Sequence, residues 1–355
     1  MKTFSRQIRI LAAFCVASGA FFSGACNSAA GGDKIEKLSA DSIAVREVLQ
    51  PSGHAVSGEK VALLSRKSEN LFWVYRLPDF KFLYCYGQAG EGPDDFGMCG
   101  FENHDVRMPD IYVNEYAKSR ITGYCVGEKS FEKGVVFTRE NSGRYRVACI
   151  ADGGKWLLGT EFIPGDAMGR ERLYVIDPRD GMVKDSVGIQ TFSTEVSYGK
   201  GVQVTGYNDM FVLSRGDRIA VVYEETQRVD FYDIRTDGRL RTVKIVGMAE
   251  KDEDVFARVK AQAENTGKTR IADHCATEKY LYLLEVRAKF DVAARRIDFV
   301  YCRVKVYDWE GRSVKVFELE KPALRMAVQG DDSRIFAYNT ITGDFDRVYV
   351  YRTGL

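Results

Sequence analysis

Short runs of consecutive apolar residues, each opened by a polar residue behind a turn, recur along the chain. They begin at Lys60 (KVALLS), Asp110 (DIYVNE), Lys155 (KWLLGT), Arg218 (RIAVVY), Lys279 (KYLYLL) and Arg334 (RIFAYN). The steps between them, roughly 45 to 63 residues, fall in the range of propeller and solenoid repeats. Each run is short and rich in β-branched and aromatic residues, which predicts a strand. Taken as the second strand of a unit, each is followed by a third: 71–76, 120–126, 173–176, 229–234, 299–307 and 347–351. Turns come next at Pro78-Asp79, Gly127-Glu128, Asp177 to Gly181, Asp237-Gly238 and Glu310-Gly311. Gly and Asp there supply the positive φ of tight hairpins. A fourth strand leaves each turn, as at 80–86, 130–137, 182–189, 240–246 and 313–319. A short first strand precedes each second one, as at 145–150 or 210–213.

The sixth unit has no fourth strand after its third. Residues 35–38 or 43–48, which lie ahead of the first unit, alternate well enough to supply it. Such pairing closes the ring and removes an edge that would invite association. The pattern therefore predicts an all-β, six-bladed β-propeller of four-stranded blades over 35–355, closed by an N-terminal strand. Strands alternate in direction, so second-to-third and fourth-to-first connections share one face. The long segments all fall there: 88–103, 161–172, 190–209 and 247–270. The last contains KDEDVFARVKAQAEN, whose Val255, Phe256 and Val259 have helical spacing behind an acidic start, predicting a short helical insertion.

Charge is balanced, Lys+Arg 51 against Asp+Glu 50. A nucleic-acid surface needs a basic excess, so none is expected. Residues 1–25 have the form of an export signal: Lys2, Arg6 and Arg9, then an apolar run from Ile10 to Phe22 that is too short to span a bilayer. Ser23-Gly24-Ala25-Cys26 resembles the lipobox of bacterial lipoproteins, although Ser23 stands where Leu is usual. The resemblance implies acylation of Cys26, with 26–34 as a tether and the lipid as the only membrane contact. Asn27 is not the Asp of the familiar sorting rule, which implies the outer membrane. The competing reading is an ordinary secretory signal cut nearby. Cys85, Cys99, Cys125, Cys149, Cys275 and Cys302 remain, an even number that permits disulfides. Several sit inside apolar strands, where a free thiol is ordinary packing.

Between the first two units runs GQAGEGPDDFG. Gly87, Gly90, Gly92, Pro93 and Phe96 resemble the crossing of six-bladed propellers of the NHL and TolB-like type, and of the lipid-anchored propellers common in Bacteroidetes. Asp94-Asp95 depart from the usual Gly-Glu. The resemblance covers the chain beyond the signal and implies fold rather than activity, since propellers host scaffolds, binders and enzymes. The stretch lacks the Lys-Ser/Thr of a P-loop and opens no helix, so a backbone turn is expected rather than a phosphate cradle.

The three histidines, His54, His104 and His274, all fall five or six residues before a second strand. Cys149, Val212 and Val328 occupy that place in the other units. First strands of a propeller are innermost, so these imidazoles are expected near the central channel. There they would hold a metal such as zinc, or else serve as hydrogen-bonded core residues. Propeller lactonases bind calcium through Glu and Asn of inner loops, a set that Glu102 and Asn103 match in part. No GxSxG, HExxH or SxxK motif is present. Two functions stand against each other. One is a monomeric, non-catalytic binder or scaffold without a cofactor, presenting the long-loop face to a protein or glycan through Phe162, Arg170, Phe192, Tyr198 and Tyr207. The other is an extracytoplasmic metal-dependent hydrolase or lactonase acting at the channel mouth.

Overall fold

The computed structural model describes residues 34–92, 94–161, 172–190, 193–197, 203–207, 210–247, 268–291, 296–340 and 345–355. It is a ring of six antiparallel sheets. Blade 1 comprises Gly53–Ser57, Lys60–Leu64, Asn70–Arg76 and Lys81–Gln88, from channel to rim. Blade 2 comprises Cys99–Glu102, Ile111–Glu115, Arg120–Val126 and Phe131–Thr138. Blade 3 is Tyr145–Ala151, Trp156–Glu161, Arg172–Asp177 and Met182–Gly188. Blade 4 is Met210–Arg215, Arg218–Tyr223, Val229–Ile234 and Leu240–Val246. Blade 5 is Lys268–Ala276, Tyr280–Asp291, Arg296–Asp308 and Ser313–Leu319. Blade 6 is Arg325–Val328, Arg334–Tyr338 and Arg347–Arg352. Its fourth strand is Asp41–Ala44, antiparallel to the third, so an N-terminal strand closes the ring as expected. The other candidate segment, Ile35–Leu38, is also a strand, added in parallel to the rim of blade 5. A separate hairpin, Ser193–Ser197 with Gln203–Tyr207, interrupts the connection from blade 3 to blade 4. The helix expected within 247–270 lies outside the described residues, as do Cys26 and the rest of the leader.

A strand turns successive side chains to opposite faces, and in a propeller both faces of each blade meet a neighbour. The second strands show the consequence. Val61 and Leu63 pack toward blade 6, whereas Ala62 and Leu64 pack toward blade 2. Ile219, Val221 and Tyr223 face blade 3, while Ala220 and Val222 face blade 5. Burial on both faces explains why these strands read as unbroken apolar runs rather than as alternation. The core is thus divided among the blade-to-blade interfaces, each with its own apolar cluster. The six cysteines of the propeller are unpaired, with Cys99, Cys149 and Cys302 buried in those clusters.

The glycine-rich crossing is a folded turn. Gly87 has φ +73°, and a Cβ there would come within 2.8 Å of the Phe96 ring. Phe96 plugs into the core between blades 1 and 2, edge-on to Phe72. Its N–H donates to the Gln88 carbonyl and its carbonyl accepts from Gly90. Asp95 accepts from the Gly92 N–H at 3.1 Å. The glycines make room for the Asp95 carboxylate and the Phe96 ring, which supports the turn reading.

Candidate functional site: the central channel and its long-loop mouth

The inner strands of all six blades enclose a cavity of about 1320 Å³ along the ring axis. That exceeds the usual volume of a small-molecule site. Its two ends differ. Each inner strand begins on the face where fourth-to-first connections arrive, which is the face of the long segments.

The far end is narrowed by the residues that follow the inner strand of blade 2. Instead of turning directly into the second strand, residues 103–108 cross toward other blades. Asn103 O accepts from Ile150 N, Asp105 N donates to Ile150 O, and Val106 N donates to Ser214 O. His104 and Asp105 thereby bridge in parallel to blades 3 and 4. The Asn103 amide reaches His274 Nε2 of blade 5 at 3.0 Å. The hub of this span is Asp105, which is wholly buried. Its carboxylate accepts from Gly216 N at 2.9 Å, Gly153 N at 3.0 Å and Arg107 Nη2 at 2.8 Å. Burial alone would push this carboxyl up, but the bonds from Arg107, Gly216 and Gly153 outweigh it and hold it below the usual carboxylate range.

All three histidines line the channel, but they do not form one cluster. His54 Nδ1 is 3.0 Å from Tyr338 Oη and 3.9 Å from Asp273. His274 is tilted against Phe211, with centroids 4.2 Å apart. Its Nδ1 is buried without a hydrogen-bond partner among the described residues. Burial drives His274 down to about 4 against the pull of neighbouring Asp273, and lowers His54 as well. Both rings are therefore neutral at pH 7. His104 lies apart from these two, tilted against Tyr112 at 5.1 Å, and burial lowers it too. Among the described residues, no group of three or more His, Cys, Asp or Glu side chains is placed to hold a metal ion. Glu102 and Asn103 line the channel. Asn114 Nδ2 donates to Glu102 at 2.8 Å. Burial raises the Glu102 carboxyl to about 7, against the opposing effects of that bond and of Arg146.

The long-loop mouth carries a feature that sequence reading missed. Arg66, Arg146, Arg270 and Arg325, from blades 1, 3, 5 and 6, all line the cavity. Arg270 and Arg325 lie at or near the beginnings of their inner strands, and Arg146 is the second residue of its own. Arg66 follows the outgoing end of a second strand and donates to Cys99 O at 2.6 Å. Arg270 is 3.8 Å from Glu224, and Arg325 is 3.9 Å from Asp273. Among the described residues, the Arg146 side chain makes no hydrogen bond or ion pair. A sequence signal existed: Arg146, Arg270 and Arg325 each stand nine residues before the opening of a second strand, at Lys155, Lys279 and Arg334. Three of six repeats place the same residue at the same phase. Tyr116, 41% exposed, completes this wall with its hydroxyl over Gly100. Of the residues expected to form the ligand face, Phe162, Arg170, Phe192 and Tyr198 lie outside the described residues. Tyr207 ends the second strand of the separate hairpin, and its side chain lies outside the description.

No protein-family model matches the chain. No curated protein matches it in sequence. Solved structures do resemble it. A member of the DUF4221 family from Bacteroides vulgatus is 10% identical at a TM-score of 0.49, covering 90% of this chain and 98% of that one. A chain of the mitotic checkpoint complex is 9% identical at 0.40, covering 87% and 76%. A protein from Lactobacillus plantarum is 9% identical at 0.41, covering 81% and 77%.

Proposed function

We propose that this protein is a binding propeller of the TolB-like or NHL-like type, lipid-anchored in a bacterial envelope, that takes its ligand at the long-loop mouth of the channel. The observation that carries the reading is the convergence of side chains from all six blades on one cavity. Convergence of loops and strand ends from several elements is what a binding site requires. The cavity wall mixes charged and polar side chains with apolar ones such as Phe101, Met210 and Phe211. Anchoring rests on the sequence around Cys26. The short-turn end offers less to a ligand, because residues 103–108 and the Asp105 hub occupy part of it.

Two measurements test this. Cys26→Ser should move the protein from the detergent-extracted membrane to the soluble fraction without changing its melting temperature. Unchanged membrane association overturns the anchor, and retention in the inner membrane overturns the outer-membrane assignment. Capture from envelope fractions should then be compared between Arg146→Gln at the mouth and Glu310→Ala in a short turn of the opposite face. Loss of a captured partner only with Glu310→Ala would refute the choice of face.

One observation favours a second reading, an extracytoplasmic hydrolase. Glu102, its carboxyl raised to about 7 inside the channel, has the proton affinity suited to acid–base work near neutral pH. Turnover of a lactone or ester that disappears in Glu102→Gln would replace the binding reading with this one.

A further inference from the structure

The arginines at the mouth point to a class of ligand. This step rests on the long-loop mouth being the binding end. Three of these residues hold one repeat phase, at or near the starts of inner strands, so the fold sets their side chains around the axis at one end of the channel. Arg66 joins them from blade 1. The carboxylates that share the mouth are fewer: Glu224 beside Arg270, Asp273 beside Arg325, and Glu102 in the field of Arg146. Four guanidinium groups against three carboxyls leave one positive charge in excess, and two whenever Glu102 is protonated. The excess sits on the side of blades 1 to 3. There the Arg146 side chain makes no hydrogen bond or ion pair among the described residues, and Arg66 spends a donor only on a backbone carbonyl. A guanidinium presents five donors in a planar fork that matches an oxyanion two bonds at a time. Inside a narrow cavity such a charge is screened less than on an open surface.

Between Arg66 and Arg146 stands Tyr116, whose exposed ring offers an apolar face and whose hydroxyl offers a polar edge. Deeper in the channel, Asn103 and the neutral histidines offer donors and acceptors beside apolar side chains such as Phe101, Met210 and Phe211, a wall that mixes polar and apolar surface. That wall suits a ligand dense in hydroxyl groups. Each inner strand is the terminal strand of its sheet and turns one edge to the channel, where an extended peptide could also pair; an acidic peptide is therefore the competitor that the test includes.

We infer that the mouth binds an acidic saccharide, its carboxylate or sulfate held by Arg66 and Arg146 and a sugar ring packed on Tyr116. The test is calorimetric titration of the purified protein with tetragalacturonate, a sulfated tetrasaccharide, the neutral tetragalactose, and hexaglutamate. An acidic sugar should bind at least about tenfold more tightly than the neutral one, with affinity falling as salt rises. Arg146→Gln should weaken it by about tenfold or more, since truncating one partner of a charged hydrogen bond costs at least that much. Arg146→Gln breaks no bond among the described residues, so an unchanged melting temperature separates lost binding from lost folding. Glu102→Gln keeps an acceptor for Asn114 while removing a negative charge, and should tighten the acidic sugar severalfold. Which acidic sugar binds identifies the anion as carboxylate or sulfate. The inference is overturned if neither acidic sugar binds, if the neutral sugar binds as well, if Arg146→Gln has no effect, or if hexaglutamate binds with the same arginine dependence. In the last three cases the mouth remains a binding site of another kind. Only mapping of the bound ligand to the opposite face would remove the underlying reading as well.

Discussion

Removing the carboxylate of Asp105 should destabilise the ring more than any exposed charge change. Asp105 has no solvent exposure and belongs to a span that ties blade 2 to blades 3 and 4. Its two oxygens accept from the backbone N–H groups of Gly216 and Gly153 and from Arg107. Asp105→Ala leaves three backbone N–H groups without their acceptor, those of Gly216, Gly153 and Arg107; the first two cost about 1–3 kcal/mol each when water does not replace it, and water can reach exposed Arg107. The ion pair with Arg107 adds little, because that side chain is 49% exposed. The expected loss is about 3–5 kcal/mol, read from urea unfolding at pH 7. Asp105→Asn keeps one acceptor oxygen but turns an NH₂ toward backbone donors on the other side, so it should fall between wild type and Ala. The pH dependence carries the stronger test. The folded carboxyl is held below its unfolded value, so its contribution is fully present above the unfolded pKa, about 4. It is lost as pH falls through the folded pKa. The gap between wild type and Asp105→Asn should be constant above about pH 5 and narrow below about pH 4. A gap of less than about 1 kcal/mol at pH 7, or one that does not narrow in acid, refutes the assignment of Asp105 as the hub.

Two further outcomes follow from closure and from the crossing. Deleting 34–48 removes the fourth strand of blade 6 together with Val45 and Val48, which are 2% and 1% exposed in the core between blades 6 and 1. The truncated protein should lose several degrees of melting temperature and self-associate through the bared edge. A monomer that melts unchanged would show that closure contributes nothing. Gly87→Ala combines a left-handed backbone with a Cβ 2.8 Å from the Phe96 ring, and should cost about 2–4 kcal/mol. An effect below about 1 kcal/mol in urea unfolding would mean that the crossing adapts freely.

What could be read from the sequence depended on whether the information was local. The second strands were legible because burial on both faces makes each one an unbroken apolar run, as in KVALLS and RIAVVY. Gly87 and Phe96 were legible because a backbone turn demands residue types within one short stretch. The closing strand was harder. Residues 35–38 and 43–48 both alternate, and the choice is made by register against Arg347–Val350 and Val316–Leu319, far away in the chain. The structure uses Asp41–Ala44 for blade 6 and Ile35–Leu38 for blade 5, so it needs both edges rather than one. The crossing of residues 103–108 gave no local sign, since its partners Ile150 and Ser214 belong to other repeats.

The arginine mouth shows where a repeat sequence holds more than its strand pattern. No short motif joins Arg66, Arg146, Arg270 and Arg325, because each comes from a different blade. In a ring, however, equal phase within the repeat means equal height along the axis. A residue type that recurs at one phase of the inner strand is therefore a ring of that side chain around the channel, even when the residues are scores of positions apart. His54, His104 and His274 also share a phase to within one residue, and all three reach the channel. They do not converge, because residues 103–108 leave the inner-strand path and carry His104 toward blade 3. Arg146, Arg270 and Arg325 lie on inner strands that keep that path. Phase predicts convergence only while the backbone stays in register. That condition holds at the long-loop mouth, where the inner strands begin, and fails toward the opposite end, where the chain of blade 2 crosses over.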